Sequence, residues 1–170
     1  MKKLLIALLI LGGCSGGEGQ DDGNAVAPAD GSKTAEAPTR PGEISTLMGL
    51  YEGDGAPRAN QLCIVENAGE TPRFALVVWG ANLHSCSGSG TAEREGDRLR
   101  LKMAGDETCT IDARISGAGI VLPDSVPDGC AYYCGARARL NGAELVRTGT
   151  GEADAMRAKD LVGEPLCRGV

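Results

Sequence analysis

The sequence predicts an all-β domain, a small antiparallel barrel of about eight short strands that is cross-linked by disulfide bonds. Two segments, residues 98–103 and 108–115, alternate strictly between apolar and polar side chains. Alternation with a period of two is typical of a strand with one face on a core and the other in water. Glycine and proline recur between such segments at short intervals, the spacing expected in a small barrel or sandwich.

The remaining strands follow from apolar runs and turn residues. Residues 62–65 and 74–79 are continuously apolar, which predicts strands that are covered on both faces. Gly96–Asp97 and Ala118–Gly119 are expected to form tight turns between neighbouring strands. Asn141–Gly142 predicts a two-residue hairpin that joins a strand at 139–140 to one at 144–146.

One short helix is expected near the C-terminus, from about residue 152. Acidic residues in its first turn and basic residues in its last turn, at Arg157 and Lys159, suit the helix dipole. Gly163 and Pro165 end it. Residues 130–134 are expected to form a single helical turn within a loop.

The chain contains seven cysteines, and six of them fall in the predicted barrel domain. An even number of cysteines in an exported chain indicates three disulfide bonds. Fifteen pairings of six cysteines are possible, and the sequence does not choose among them. Cys167 is expected to attach the C-terminal tail to the barrel. The six candidates are Cys63, Cys86, Cys109, Cys130, Cys134 and Cys167.

The amino-terminal residues have the pattern of a secretory signal. Lys2 and Lys3 precede an apolar run at residues 4–11 that is too short to span a bilayer. Residues 11–14, Leu-Gly-Gly-Cys, resemble a bacterial lipobox, in which the chain is cut before the cysteine and that cysteine is acylated. The resemblance implies that residues 1–13 are a signal peptide and that Cys14 carries the lipid anchor.

Lipoprotein sorting signals that retain a protein in the inner membrane have an aspartate after the cysteine, and this chain has Ser15. The resemblance therefore implies an outer-membrane anchor, with the domain facing the periplasm. Residues 14–43 are rich in glycine and proline and lack aromatic residues, so we expect a disordered acidic tether after the lipidated cysteine. The barrel domain is then predicted to span residues 44–170.

The charge of the chain bears on its partners. Removal of residues 1–13 changes the formal net charge from −6 to −8, because Lys2 and Lys3 are lost with the signal. An acidic chain without a basic cluster argues against binding to nucleic acid. It is compatible with a basic protein partner.

The sequence does not predict catalysis, a metal site or a cofactor. His84 is the only histidine, and Ser85 and Ser87 would lie on the opposite face of a strand from it. The cysteines include no C-x-x-C pair, and neither a G-x-S-x-G, an H-E-x-x-H nor a phosphate-binding motif occurs. We therefore expect a non-catalytic binding domain.

Residues 85–91, Ser-Cys-Ser-Gly-Ser-Gly-Thr, are the most unusual segment of the domain. Glycines permit backbone conformations that are closed to other residues, and serines supply hydrogen-bond donors and acceptors. Two interpretations are open. The segment is either a bulged strand or loose hairpin arm, or an exposed recognition loop held rigid by a disulfide bond at Cys86.

Residues 87–91, Ser-Gly-Ser-Gly-Thr, resemble the S-G-S-G-A loop of membrane-bound inhibitors of c-type lysozyme. Residues 105–107, Gly-Asp-Glu, are similar to a stretch that often follows in that family. Those proteins are short bacterial lipoproteins with a small antiparallel barrel, and their serine-rich loop enters the lysozyme cleft and hydrogen-bonds the catalytic carboxyl groups. The resemblance implies a binding loop that contains Ser87, Gly88, Ser89 and Gly90, with Ser89 as the serine that makes the contact. It also implies Lys102 as a candidate for the second contact.

This sequence departs from the family pattern at several positions. Thr91 stands where the family has alanine, and Glu93 stands where it has tyrosine. The family's second motif, a threonine or lysine followed by glycine, is absent, since Met103 and Ala104 precede Gly105. Two other functions therefore stay open: a structural or envelope-assembly lipoprotein that binds another envelope protein, and a small-ligand pocket inside the barrel near residues 49–53.

Overall fold

The computed structural model describes residues 46–105 and 107–170, and in these residues eight antiparallel strands form a closed barrel. Each strand pairs with its neighbours in sequence, and the last strand pairs with the first. The predicted eight-stranded barrel is confirmed. The strands are β1 (Gly49–Gly53), β2 (Asn60–Val65), β3 (Arg73–Trp79), β4 (Ser85–Glu95), β5 (Arg98–Met103), β6 (Thr110–Ser116), β7 (Gly119–Val121) and β8 (Glu144–Thr150).

The signal peptide, Cys14 and the tether up to residue 43 lie outside the described residues, as do residues 44–45 and Asp106. The predictions made for them stay predictions.

The two alternating segments form strands as expected. β5 has the predicted bounds, with Leu99 and Leu101 inside the barrel and its basic side chains outside. β6 begins at Thr110, two residues later than predicted, and the buried Cys109 lies directly before it, in a disulfide bond. Side chains from all eight strands fill the interior, and the large ones include Tyr51, Phe74, Leu62 and Ile111.

The continuously apolar strands are covered on both faces, as predicted. One face of β2 and β3 lies in the barrel interior, and the other packs under the C-terminal segment. This second apolar cluster comprises Leu50, Cys63, Val65, Ala75, Ala155, Ala158 and Cys167. Burial on both faces explains why neither strand alternates between apolar and polar residues.

The C-terminal helix is present but shorter than the charge pattern predicted. α1 (Glu152–Ala155) has one turn, and Arg157 and Lys159 lie beyond it. Beyond the helix, the side chain of Asp160 accepts hydrogen bonds from the amides of Val162 and Glu164, at 2.9 and 2.8 Å. These bonds close a turn that directs the tail back toward β2.

The predicted turns have mixed outcomes. Gly96–Asp97 joins β4 to β5 as expected, and Gly117–Ala118 joins β6 to β7, one residue earlier than expected. The prediction of a hairpin around Asn141–Gly142 was wrong, since residues 139–140 are not a strand and β8 pairs with β7. Residues 122–143 instead form a long connection, the β7–β8 segment, whose buried Leu140 joins the barrel core.

Three disulfide bonds are present, and all six candidate cysteines take part. They join Cys63 to Cys167, Cys86 to Cys134 and Cys109 to Cys130, over sequence separations of 104, 48 and 21 residues. Cys167 thus attaches the tail to β2, as predicted. On the loop-closure account each bond contributes roughly 3–5 kcal/mol, most for the longest separation.

The β7–β8 segment is fixed to the barrel by two of these bonds. Its 3-10 helix, Asp128–Tyr133, contains Cys130 and is followed directly by Cys134. The helical turn expected at 130–134 is therefore present. Cys130 is bonded to Cys109, and Cys134 is bonded to Cys86 on β4, so the two cysteines of the turn are not bonded to each other.

Candidate binding face on strands β4 and β5

The serine- and glycine-rich segment is part of a regular strand. Residues 85–91 of β4 pair with β3 in continuous register, from Ser85 opposite Trp79 to Thr91 opposite Arg73. From Gly90 onward β4 also pairs with β5. The segment is therefore a strand, without a bulge in this register, and not the loop of the second interpretation. The disulfide bond that this interpretation places at Cys86 is present.

Gly90 is required because backbone occupies its side-chain position, and the side-chain position of Gly88 is occupied by other side chains. Both residues face the barrel interior, where a Cβ atom at Gly90 would overlap the carbonyl oxygen of Lys102. A Cβ atom at Gly88 would overlap the terminal methyl of Met103 and lie 2.9 Å from the ring of Tyr133. The serine–glycine alternation is therefore the alternation of a strand, with the serines outside and the glycines at a close approach inside.

The β7–β8 segment holds this part of β4 in place. The Tyr133 hydroxyl donates a hydrogen bond to the carbonyl of Ala104, at 2.7 Å. The amide of Gly135 donates to the carbonyl of Ser85 at 2.9 Å, next to the disulfide bond between Cys86 and Cys134. The start of β4 pairs with β3 on one edge, and β5 joins its other edge only from Gly90 onward. The disulfide bond and the hydrogen bonds thus fix the start of β4 along the edge that β5 leaves unpaired.

The outward residues Ser85, Ser87 and Ser89 form what we call the serine stripe. All three are partly exposed, and none of their hydroxyl groups makes a hydrogen bond within the part of the chain that the structure describes. Successive members are roughly 6.6 Å apart along the strand. Each hydroxyl can both donate a hydrogen bond to a partner and accept one from it.

Lys102 lies beside this stripe on β5. It is directly opposite Thr91, and the amide of Ala104 donates to the carbonyl of Ser89 at 2.7 Å. Ser89 and Lys102 are therefore diagonal neighbours on the same outer face, with Cα atoms roughly 7–8 Å apart. The structure brings together the serines and the lysine that the resemblance singled out.

The surroundings of Lys102 differ from those of the other cations on β5. Arg100 has Glu93 opposite it on β4, and its Nε lies 3.4 Å from a carboxylate oxygen of Asp112 on β6. The cross-strand neighbours of Lys102 are Thr91 and Thr110, which carry no charge.

The ammonium of Lys102 has one ion-pair partner among the described residues. It lies 3.7 Å from a carboxylate oxygen of Glu107, whose side chain is 90% exposed. Exposed pairs of this kind contribute about 0–1 kcal/mol, so a partner's carboxylate can replace Glu107 at little cost. Together the serine stripe and Lys102, which we call the β4–β5 face, offer hydroxyl groups and one available cation.

The described residues contain neither a cluster of metal-ligating side chains nor a helix that could span a membrane. In residues 46–105 and 107–170, no three His, Cys, Asp or Glu side chains are close enough to hold a metal ion. No helix in these residues has the length and apolar character needed to cross a bilayer. His84 directly precedes β4, where its ring lies beside Gly135.

Comparison with known proteins does not assign the chain to a family. No family model, no curated protein and no solved structure matches it. The functional argument therefore depends on the residues of the β4–β5 face.

Sequence reasoning missed the role of Tyr133 and the uncharged neighbours of Lys102. The neighbours of Lys102 depend on strand register, and the position of Tyr133 depends on the path of the β7–β8 segment. Neither can be recognised from the neighbouring residues in the sequence. The strand itself did leave a signal, since the serines of residues 85–89 recur with a period of two.

A pair of substitutions tests whether this segment is a strand with inward glycines. Gly90→Ala should lower the free energy of unfolding by about 1–3 kcal/mol, because the added methyl meets backbone of β5. Ser89→Ala, one residue away on the outer face, should change it by less than about 0.5 kcal/mol. Urea unfolding followed by circular dichroism measures both, and equal stabilities of the two variants would contradict the assigned faces.

Proposed function

We propose that the chain is a lipid-anchored envelope lipoprotein whose barrel inhibits a c-type lysozyme by placing the β4–β5 face in its active-site cleft. The observation that carries this proposal is the position of Ser89 beside Lys102 on one outer face. Those are the two residues that the family resemblance marks for contact, and they lie on neighbouring strands.

The chemistry of the face suits a pair of catalytic carboxyl groups. Glycosidases of this type use one protonated and one ionised carboxyl group at neutral pH. A serine hydroxyl can accept a hydrogen bond from the first or donate to the second, whereas a lysine ammonium only donates. A face with hydroxyls and one cation can therefore satisfy both carboxyl groups at once.

The spacing of the serines also suits such a pair. Retaining glycosidases hold their two carboxyl groups about 5–5.5 Å apart. Ser87 and Ser89 are separated by roughly 6.6 Å along β4, and rotation about each side chain can shorten the distance between the two oxygens. One serine can thus approach each carboxyl group without a change in the backbone.

Two further features support the proposal. The closed antiparallel barrel is the fold that the resemblance implies, although a barrel by itself does not indicate a function. The formal net charge, −6 for the whole chain and −8 once residues 1–13 are removed, favours association with a basic protein, since opposite net charges accelerate encounter.

Inhibition of a c-type lysozyme tests the proposed binding role. The full-length chain, purified in detergent, should inhibit lysis of bacterial cell walls at micromolar concentration or below. Ser89→Trp should weaken inhibition at least tenfold because the indole blocks approach to the face, and Lys102→Ala should weaken it by a smaller factor.

Val146→Trp is the matched control, because Val146 is exposed on β8, four strands away from β4 around the barrel. It should inhibit as the unsubstituted chain does. Absence of inhibition at about 100 μM would refute the lysozyme proposal and favour another envelope protein as the partner.

Metabolic labelling with palmitate tests the proposed anchor. The unsubstituted chain should incorporate label and fractionate with the outer membrane, whereas Cys14→Ser should incorporate none because the acylated thiol is absent. An unprocessed, unlabelled polypeptide in the cytosol would contradict the proposed export.

A further inference from the structure

We infer that Leu83 and Tyr132 are apolar anchors that extend the β4–β5 face and contact the c-type lysozyme proposed above. The inference rests on the proposed function and extends its contact surface. Both side chains are large, apolar and exposed, at 71% for Leu83 and 81% for Tyr132.

The backbone at Leu83 is the first observation. Asn82 and Leu83, in the turn that joins β3 to β4, both have positive φ angles, 56° and 63°. Asparagine tolerates the left-handed region, but leucine rarely adopts it because its Cβ atom crowds the backbone. The fold holds a leucine in this unfavourable conformation although most of its surface remains in solvent.

Hydrogen bonds enforce this conformation. The amide of Gly80 donates to the carbonyl of His84 at 2.8 Å, and the amide of His84 donates to the carbonyl of Ala81 at 3.2 Å. The amide of Ala81 donates to the carbonyl of Arg137, also at 3.2 Å, which attaches the turn to the β7–β8 segment. Strain that surrounding structure maintains at an exposed position indicates a functional requirement.

The second anchor, Tyr132, lies in the 3-10 helix of the β7–β8 segment. Its ring packs edge-on against the ring of Tyr133, with centroids 5.2 Å apart and planes at 87°. Tyr133 is fixed by its hydrogen bond to Ala104, and Cys134 is bonded to Cys86 on β4. Tyr132 is therefore held near the start of β4 on a rigid support, and tyrosine is enriched at protein interfaces.

The distances allow one partner to contact all of these residues. Leu83 precedes Ser89 by six residues, which span at most about 22 Å when fully extended. A standard interface covers about 800 Å² of each protein, a patch roughly 32 Å across. The anchors and the serine stripe therefore fit within one interface of ordinary size.

Three variants of the full-length chain test the inference: Leu83→Asn, Tyr132→Ser and, as control, Val146→Asn. Affinity for c-type lysozyme is measured by calorimetry, and the urea midpoint of unfolding is measured for each. Leu83→Asn should raise the midpoint, because asparagine tolerates a positive φ, and yet weaken binding at least tenfold. A residue with only a structural role would not combine these effects.

Tyr132→Ser should weaken binding about tenfold at an unchanged midpoint, and Val146→Asn should alter neither quantity. If Leu83→Asn and Tyr132→Ser bind as tightly as the unsubstituted chain, the anchor inference is overturned while the proposed function stands. If the unsubstituted chain itself does not bind lysozyme, the proposed function is overturned and the anchor inference with it.

Discussion

The close approach of β4 to its neighbours at Gly88 and Gly90 is the constraint on which the candidate face depends. It leaves room inside the barrel for Met103 and for the ring of Tyr133, and it fixes the serines on the outer face. The disulfide bond between Cys86 and Cys134 then joins this strand to the β7–β8 segment. The glycines that permit the close approach therefore alternate along β4 with the serines of the candidate face.

Much of the fold could be predicted from local patterns. The alternation at residues 98–103 gave β5 with its observed bounds, and the apolar runs gave β2 and β3, because burial on one or two faces leaves a direct record in the sequence. Long-range features could not be predicted in this way. The disulfide pairing depends on which segments meet in space, and Asn141–Gly142 lies in a turn of a connection whose path is set by burial of Leu140.

The candidate site was predictable in part. The resemblance singled out Ser89 and Lys102, and the strand register places them as diagonal neighbours. Of the two interpretations open for the serine-rich segment, the structure shows the strand and not the loop. The period-two serines indicated this strand, whereas its inner face left a weak signal, since glycines lack the apolar side chains by which an inner face is recognised. Leu83 gave no signal, because the positive φ angle at this leucine accompanies hydrogen bonds within the turn and one from Ala81 to the distant Arg137.

The most direct test of the central claim, that the outer face of β4 and β5 occupies a carboxylate-lined cleft, is a crystal structure of the complex with a c-type lysozyme. The account predicts that the Ser89 hydroxyl oxygen lies about 2.5–3.0 Å from an oxygen of a catalytic carboxyl group. It also predicts that Lys102 lies at the mouth of the same cleft. A complex in which β8 and β1 contact the enzyme, with the serine stripe left in solvent, would contradict it.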